Sequence, residues 1–285
     1  NVSTKYISRS GTPDSTPDRL NIKKEGKMNY SEIIVEVENL IGKIILNRPK
    51  ELNTFNTQLA IELNNALLEF DKNDEVRVIL LKGAGKHFCA GIDLNEFAGK
   101  NVIEYKEWIE QMEQPLVTIS KIKKPVVAQV QGVAAANGAG LVAAADLAIF
   151  SDKAKIGLTA INVGLNCIGP VVPVRKSVGR KKALELLLFG DLIKADEALR
   201  IGLINRVVPD ADLENETLAW VGKLAQKSPI ALQIAKSSFY ASEDFDYEKS
   251  FKYMNEAFAR LCTTEDANEG IEAFKAKRKP TWKLK

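Results

Sequence analysis

The junction between a buried strand and a stretch with almost no side chains constrains this chain more than any other feature. Residues 125–130 read Pro-Val-Val-Ala-Gln-Val, and residues 131–146 read Gln-Gly-Val-Ala-Ala-Ala-Asn-Gly-Ala-Gly-Leu-Val-Ala-Ala-Ala-Asp. Such a sequence predicts a strand, a tight turn and a short Ala-rich helix where the backbone is approached closely. With Asn137 and Gly138 at the helix start, free N–H groups and the positive end of the helix dipole would face whatever lies above the strand. That arrangement suits an anion or a developing oxyanion. Two other readings stand beside it. One is a small-residue helix packed tightly on a sheet. The other is a dinucleotide site: Gly-Ala-Gly-Leu-Val-Ala at 138–143 fits G-x-G-x-x-G/A, with Asp152 as the candidate ribose acid. The NAD fit is weak, because only about 14 residues separate Gly138 from Asp152 against roughly 20 expected, and the pattern sits mid-chain.

Around this stretch, strands and helices alternate. Two alternating runs at 33–37 and 41–46 predict a hairpin with Asn39 in its turn. Thr57 is a candidate cap for a helix over 57–71 with one apolar stripe, and 76–81 reads as a buried strand. A helical segment is expected around 103–122, a short strand at 147–150, a Gly- and Asn-rich loop over 156–169, helices at 179–189 and 195–201, and a strand at 203–208 closed by Pro209. Everything after 213 reads as helix, in segments 213–227, 229–241, 247–262 and 267–277. The fold class is therefore α/β with a C-terminal helical segment, and no internal repeat is visible. The expected division is a disordered leader at 1–27, a core at 28–212 and a helical region at 213–285. The leader is polar and carries Pro13 and Pro17. Its acids Asp14, Asp18 and Glu25 argue against a mitochondrial transit peptide, and Lys-Glu-Gly-Lys before Met28 suggests that Met28 is an authentic start.

With 285 residues and 45% hydrophobic content, the chain can bury a full core. A net charge of +3 is too small to imply nucleic acid. No apolar run reaches membrane-spanning length. Three widely spaced cysteines, Cys89, Cys167 and Cys262, suggest reduced thiols and a cytoplasmic location. No metal-ligand spacing is present.

Four separated motifs occur in order: Leu-Asn-Arg-Pro-Lys at 46–50, Phe-Cys-Ala-Gly-Ile-Asp at 88–93, the stretch 132–146, and Glu-Gly-Ile-Glu-Ala-Phe-Lys-Ala-Lys at 269–277. Together they resemble the crotonase, or enoyl-CoA hydratase/isomerase, superfamily over about residues 31–285. Asn-Val-Gly-Leu at 162–165 and Arg-Lys-Pro-Thr-Trp at 278–282 look most like the enoyl-CoA hydratase domain-containing protein 3 group. The resemblance implies a spiral of ββα turns, a helical trimerisation region and a homotrimer or homohexamer. It implies an acyl-CoA substrate, with coenzyme A as part of that substrate and no tightly bound cofactor, and no nucleic-acid or membrane partner. Carried over by position, the oxyanion hole would be the N–H groups of Ile92 and Asn137, although the family more often has glycine at the second position. Lys50 and Leu52 would line the CoA path, Ala90, Asp93 and Leu94 would meet its adenine end, and Phe258, Phe274 and Lys277 would reach a CoA, often from a neighbouring subunit.

The resemblance fails where hydration chemistry needs it. The two glutamates that add water in this superfamily correspond to Gly140 and Ala160, and neither can move a proton. Three readings follow: enolate chemistry in a hydratase/isomerase-type enzyme, a decarboxylase or isomerase of the same superfamily, or a catalytically silent acyl-CoA-binding protein. Asn162, Asn166 and Asp93 are candidate substitutes for the missing acid–base groups. Placing glutamate at both 140 and 160 is expected to raise hydration, provided the side chains fit and Asn137 leaves the helix start open. His87, the only histidine, is assigned a turn role, Cys89 and Cys167 are assigned as inert thiols, and Asp93 and Asp146 as structural carboxylates.

Overall fold

The computed structural model describes residues 30–284; the leader assigned to 1–27 lies outside them. Ten α-helices and nine strands are found among the described residues. The strands are β1 (Ile33–Glu38), β2 (Ile41–Leu46), β3 (Val78–Gly83), β4 (Val126–Val130), β5 (Val133–Ala135), β6 (Leu147–Ser151), β7 (Lys155–Gly157), β8 (Ile193–Lys194) and β9 (Arg206–Val208). The helices are α1 (Thr57–Lys72), α2 (Val102–Lys121), α3 (Asn137–Ala144), α4 (Val171–Val178), α5 (Arg180–Phe189), α6 (Ala195–Arg200), α7 (Leu213–Ala225), α8 (Pro229–Ser242), α9 (Tyr247–Cys262) and α10 (Glu265–Lys275).

A six-stranded sheet runs β1-β2-β3-β4-β6-β9, antiparallel only between β1 and β2. Its central strands read Val-Ile-Leu-Leu and Val-Val-Ala-Gln-Val and are almost wholly buried, as parallel strands covered on both faces must be. A second, smaller sheet runs β5-β7-β8. Two isolated parallel bridges extend the pattern: Phe55 with Ile92, and Cys89 with Ala134. Four turns of the chain then share one plan, a strand in the large sheet, an extended piece beside it and a helix: β2–Phe55–α1, β3–Cys89–α2, β4–β5–α3 and β6–β7–α4. This is a ββα spiral, with helices following it to the C-terminus. A structural repeat therefore exists where none is visible in the sequence, because the second extended piece shrinks to three residues or to a single bridge.

Local chemistry sets the helix boundaries. Asn56, not Thr57, caps α1, its Oδ1 accepting from the Leu59 N–H at 2.8 Å; the Thr57 hydroxyl instead donates to Glu96 at 2.6 Å. A reciprocal capping box between Asn101 and Glu104 starts α2. The segment expected as loop over 156–169 contains the end of β7 and a 3-10 turn at Thr159–Val163. Helix α4, which follows it, is not suggested by a sequence rich in β-branched valine with Pro173 inside.

One large core fills the space between the big sheet, α1, α2 and α3. Helix α7 covers the other face, where Val221 and Ala225 pack with Ile41, Val78, Leu80 and Val127. Asp146, at the end of α3, ties the last helices to this body. Its carboxylate accepts from the Val126 N–H (2.7 Å), the Lys236 ammonium (2.7 Å) and the Tyr240 hydroxyl (2.9 Å).

Candidate functional site

Two turns are pressed together in front of β4. In the first, Phe55 donates its N–H to the Gly91 carbonyl (2.7 Å) and accepts the Asp93 N–H (2.9 Å). Ile92, lying between these two bonds, presents its own N–H to the opposite side. In the second turn, Ala135 donates to Cys89 and Ala136 donates to Gly157, both at 2.9 Å, and α3 then begins at Asn137. The N–H groups of Ile92 and Asn137 meet no acceptor among the described residues.

Small residues beside the two donors let their turns approach each other. Gly91 has φ +116°, and a Cβ on it would stand 3.2 Å from the Ala136 Cβ. A Cβ on Gly138 would overlap the Cys89 carbonyl. Ala136 itself holds φ 48° and ψ −109°, a region that side chains resist at a cost on the order of 1–3 kcal/mol. The strained residue is the one immediately before the start of α3.

Of the residues expected to line a CoA path, Ala90 donates its N–H to the Leu52 carbonyl at 3.1 Å, and Lys50 and Leu94 are exposed. Asn53 fixes the 49–54 turn from below, donating to the carbonyls of Ala84 (2.9 Å) and His87 (2.8 Å). The Asp93 side chain is fully used. It accepts from Arg48 at 2.9 Å and from Asn95 through both N–H and side chain. Burial opposes ionisation of Asp93, but the Arg48 guanidinium and the Asn95 donors outweigh it and hold the carboxyl below its usual range. Phe258, Phe274 and Lys277 are exposed in the helical layer of α9 and α10. Phe274 lines a groove there with Leu261, Ile271 and Trp282, and not the turns at 88–94.

At the two glutamate positions the structure corrects one expectation. Gly140 is not an empty slot: a Cβ there would meet Pro170 at 2.9 Å and Leu116 at 3.0 Å. A glutamate at 140 therefore cannot be accommodated without moving α2 or the 165–170 segment. Ala160 lies half-buried in the 3-10 turn. Each of the two amides suggested as substitutes has one polar atom engaged elsewhere. Asn162 donates to the Gly190 carbonyl (3.1 Å) and Asn166 accepts the neighbouring Cys167 N–H (2.8 Å).

His87 Nδ1 accepts the Val133 N–H at 3.2 Å, which holds the turn and requires a neutral ring nitrogen; burial, then Lys86, pushes its pKa down. Burial pushes the Cys89 thiol up to about 12 and raises Cys167 as well, so neither is a ready nucleophile. Among the described residues, no group of three or more His, Cys, Asp or Glu side chains could hold a metal ion, and no helix is long and apolar enough to cross a membrane.

Sequence reasoning missed three features: the strained Ala136, Arg48 as the partner of Asp93, and Glu113. The last lies on α2, and its carboxylate fills the space that a Cβ on Gly169 would need. The Arg48 pairing had a signal in the Asn-Arg-Pro motif; the other two depend on packing.

The family model for enoyl-CoA hydratase/isomerase matches residues 36–285. The chain belongs to the enoyl-CoA hydratase/isomerase family. Within this family, crotonase-type in its ββα core, it is similar to the mitochondrial enoyl-CoA hydratase domain-containing protein 3 of Rattus norvegicus, at 35% identity over 85% of this chain and 81% of the relative. The crystal structure of the human enoyl coenzyme A hydratase domain-containing protein 3 superimposes with a TM-score of 0.85 at 33% identity, covering 88% of this chain and 100% of that one. An enoyl-CoA hydratase from Mycobacterium smegmatis gives 0.86 at 33% identity, over 88% and 99%. These relatives overturn the cytoplasmic expectation, since the rat protein and its mouse and human counterparts are mitochondrial by name. Reduced cysteines fit any reducing compartment, and so never distinguished the two.

Proposed function

We propose that this chain binds an acyl-CoA thioester with the carbonyl oxygen between the N–H groups of Ile92 and Asn137, and stabilises the enolate that forms when a neighbouring proton leaves. The observation that carries this reading is the pair of unclaimed N–H groups on two turns in contact through Gly91 and Ala136. Each such donor contributes on the order of 2.7–4 kcal/mol to an oxyanion. Lys50 offers a mobile positive charge to CoA phosphate, and Leu52, Ala90 and Leu94 line the approach. The family's two-glutamate hydration is disfavoured, because neither Gly140 nor Ala160 carries an ionisable group and the first position is filled by Pro170 and Leu116.

Assembly belongs to the same proposal. Phe251, Phe258 and Phe274 remain exposed on α9 and α10, while Met254 and Leu261 are half-buried. Apolar surface of this kind points to an oligomer; the family resemblance implies a trimer or its multiple, in which Phe258, Phe274 and Lys277 can serve a neighbour's CoA. Calorimetry with butyryl-CoA tests the reading, with light scattering on the same sample. Micromolar binding by an oligomer is expected. No heat at millimolar ligand removes the acyl-CoA reading, and binding of NAD in its place would restore the dinucleotide alternative.

A further inference from the structure

An enolate site needs a group that moves protons, and Gly140, Ala160, Asp93, Asn162 and Asn166 cannot serve. We propose that Glu113 is the proton-transfer group of the acyl pocket, supplying from α2 the carboxylate that α3 lacks; this rests on the acyl-CoA reading above.

The geometry runs through two glycines. The Glu113 carboxylate lies against the bare Cα of Gly169, in the place a Cβ would take. Pro170, the next residue, packs on Gly140, and so does Leu116, one helical turn beyond Glu113 on the same face of α2. One face of α2 therefore puts Leu116 against Gly140 and the Glu113 carboxylate against Gly169, the residue before Pro170. Gly140 is the fourth residue of α3, whose first residue carries the Asn137 donor.

Glu113 is also unlike the other acids near the site. Asp93 is paired with Arg48, and Glu96 accepts from Thr57. The half-buried Glu113 carboxylate has no hydrogen-bond or ion-pair partner among the described residues, and burial alone raises its proton affinity. An unpaired carboxyl in partial burial costs stability, and an acid held in that way is a candidate for function.

The chemistry balances with one carboxyl group. Glu113 as carboxylate takes a proton from the carbon next to the thioester carbonyl. The C–H electron pair becomes the enolate C=C bond, and the charge passes to the oxygen held by Ile92 and Asn137. Glu113, now a carboxylic acid, returns the proton to the same carbon, or to the far end of an unsaturated chain with a shift of the double bond. No water or redox partner is consumed. The substrate class is an acyl-CoA with an acidic C–H beside the thioester, and the reaction class is enolisation or double-bond isomerisation.

The test is deuterium uptake. Butyryl-CoA is incubated in D2O with the intact protein, and deuterium on the recovered thioester is read by mass spectrometry, with calorimetry run alongside. The wild type is expected to exchange. Glu113→Gln is expected to bind within about threefold of wild type, melt no lower, and lose exchange by about 100-fold or more. In Glu113→Ala, added formate is expected to restore part of the exchange. Wild-type exchange that persists in Glu113→Gln overturns the proposal, as does a wild type that binds the thioester without exchanging. Absence of thioester binding by the wild type removes the acyl-CoA reading itself, and with it the proposal.

Discussion

Gly91 and Ala136 touch: a Cβ on Gly91 would lie 3.2 Å from the Ala136 Cβ, and each residue directly precedes an unclaimed N–H. The contact between two turns distant in sequence sets the spacing of the donors. Gly91→Ala is expected to cost about 1–3 kcal/mol of stability, since φ +116° suits only glycine. Urea denaturation measures that loss, and calorimetry should show weaker acyl-CoA binding. Unchanged affinity in a folded Gly91→Ala variant would mean that the donors are not positioned through this contact.

Gly140→Glu is expected to destabilise the protein and not to create a hydratase. Pro170 and Leu116 occupy the space, and overpacking of this kind costs about 1–3 kcal/mol. Crotonyl-CoA hydration by Gly140→Glu with Ala160→Glu should stay at the wild-type level. A well-folded double variant with strong hydration would show that the 165–170 segment yields easily.

Glu113 gives a pH signature. Its folded pKa is raised by burial, so between the ordinary glutamate value and the raised one the folded state holds more protons than the unfolded state. Stability contributed by this group is then full below the ordinary value and falls as pH rises through the raised one. No charged residue on α3 or in the 164–170 segment offsets this. Melting curves should place Glu113→Gln above wild type at neutral pH, with the gap closing in acid. A constant gap across that range would contradict the assignment of burial as the cause.

Asp146→Asn is expected to be among the most destabilising conservative changes in the chain. It leaves the buried Lys236 ammonium, whose pKa burial already lowers, without its counter-charge, and removal of one partner costs about 3–5 kcal/mol. Acyl-CoA binding per folded molecule should be unaltered. A variant as stable as wild type would show that the Lys236 and Tyr240 contacts contribute little.

The sequence exposes the large sheet because its strands are apolar runs long enough to bury both faces, as at 126–130 and 78–81. It points to the two turns because Gly91, Gly138 and the alanines around Asn137 permit close backbone approach. The small sheet stays hidden, since three-residue strands such as β5 and single bridges such as Cys89 with Ala134 carry no period. Gly140 looks empty in sequence, and only the approach of Pro170 and Leu116 shows that it is filled. Glu113 is one of several glutamates on a polar helix, with Glu104, Glu107 and Glu110 before it; which one faces Gly169 is decided by packing.

Two backbone N–H groups, those of Ile92 and Asn137, are expected to grip the thioester oxygen. Isotope-edited infrared spectroscopy of butyryl-CoA labelled with carbon-13 at the carbonyl measures this on the bound molecule. Two hydrogen bonds from Ile92 and Asn137 should lower the carbonyl stretch well below its value in water, and should do so equally in Glu113→Gln. A bound thioester whose carbonyl stretch is unshifted would mean that these N–H groups do not hold the oxygen.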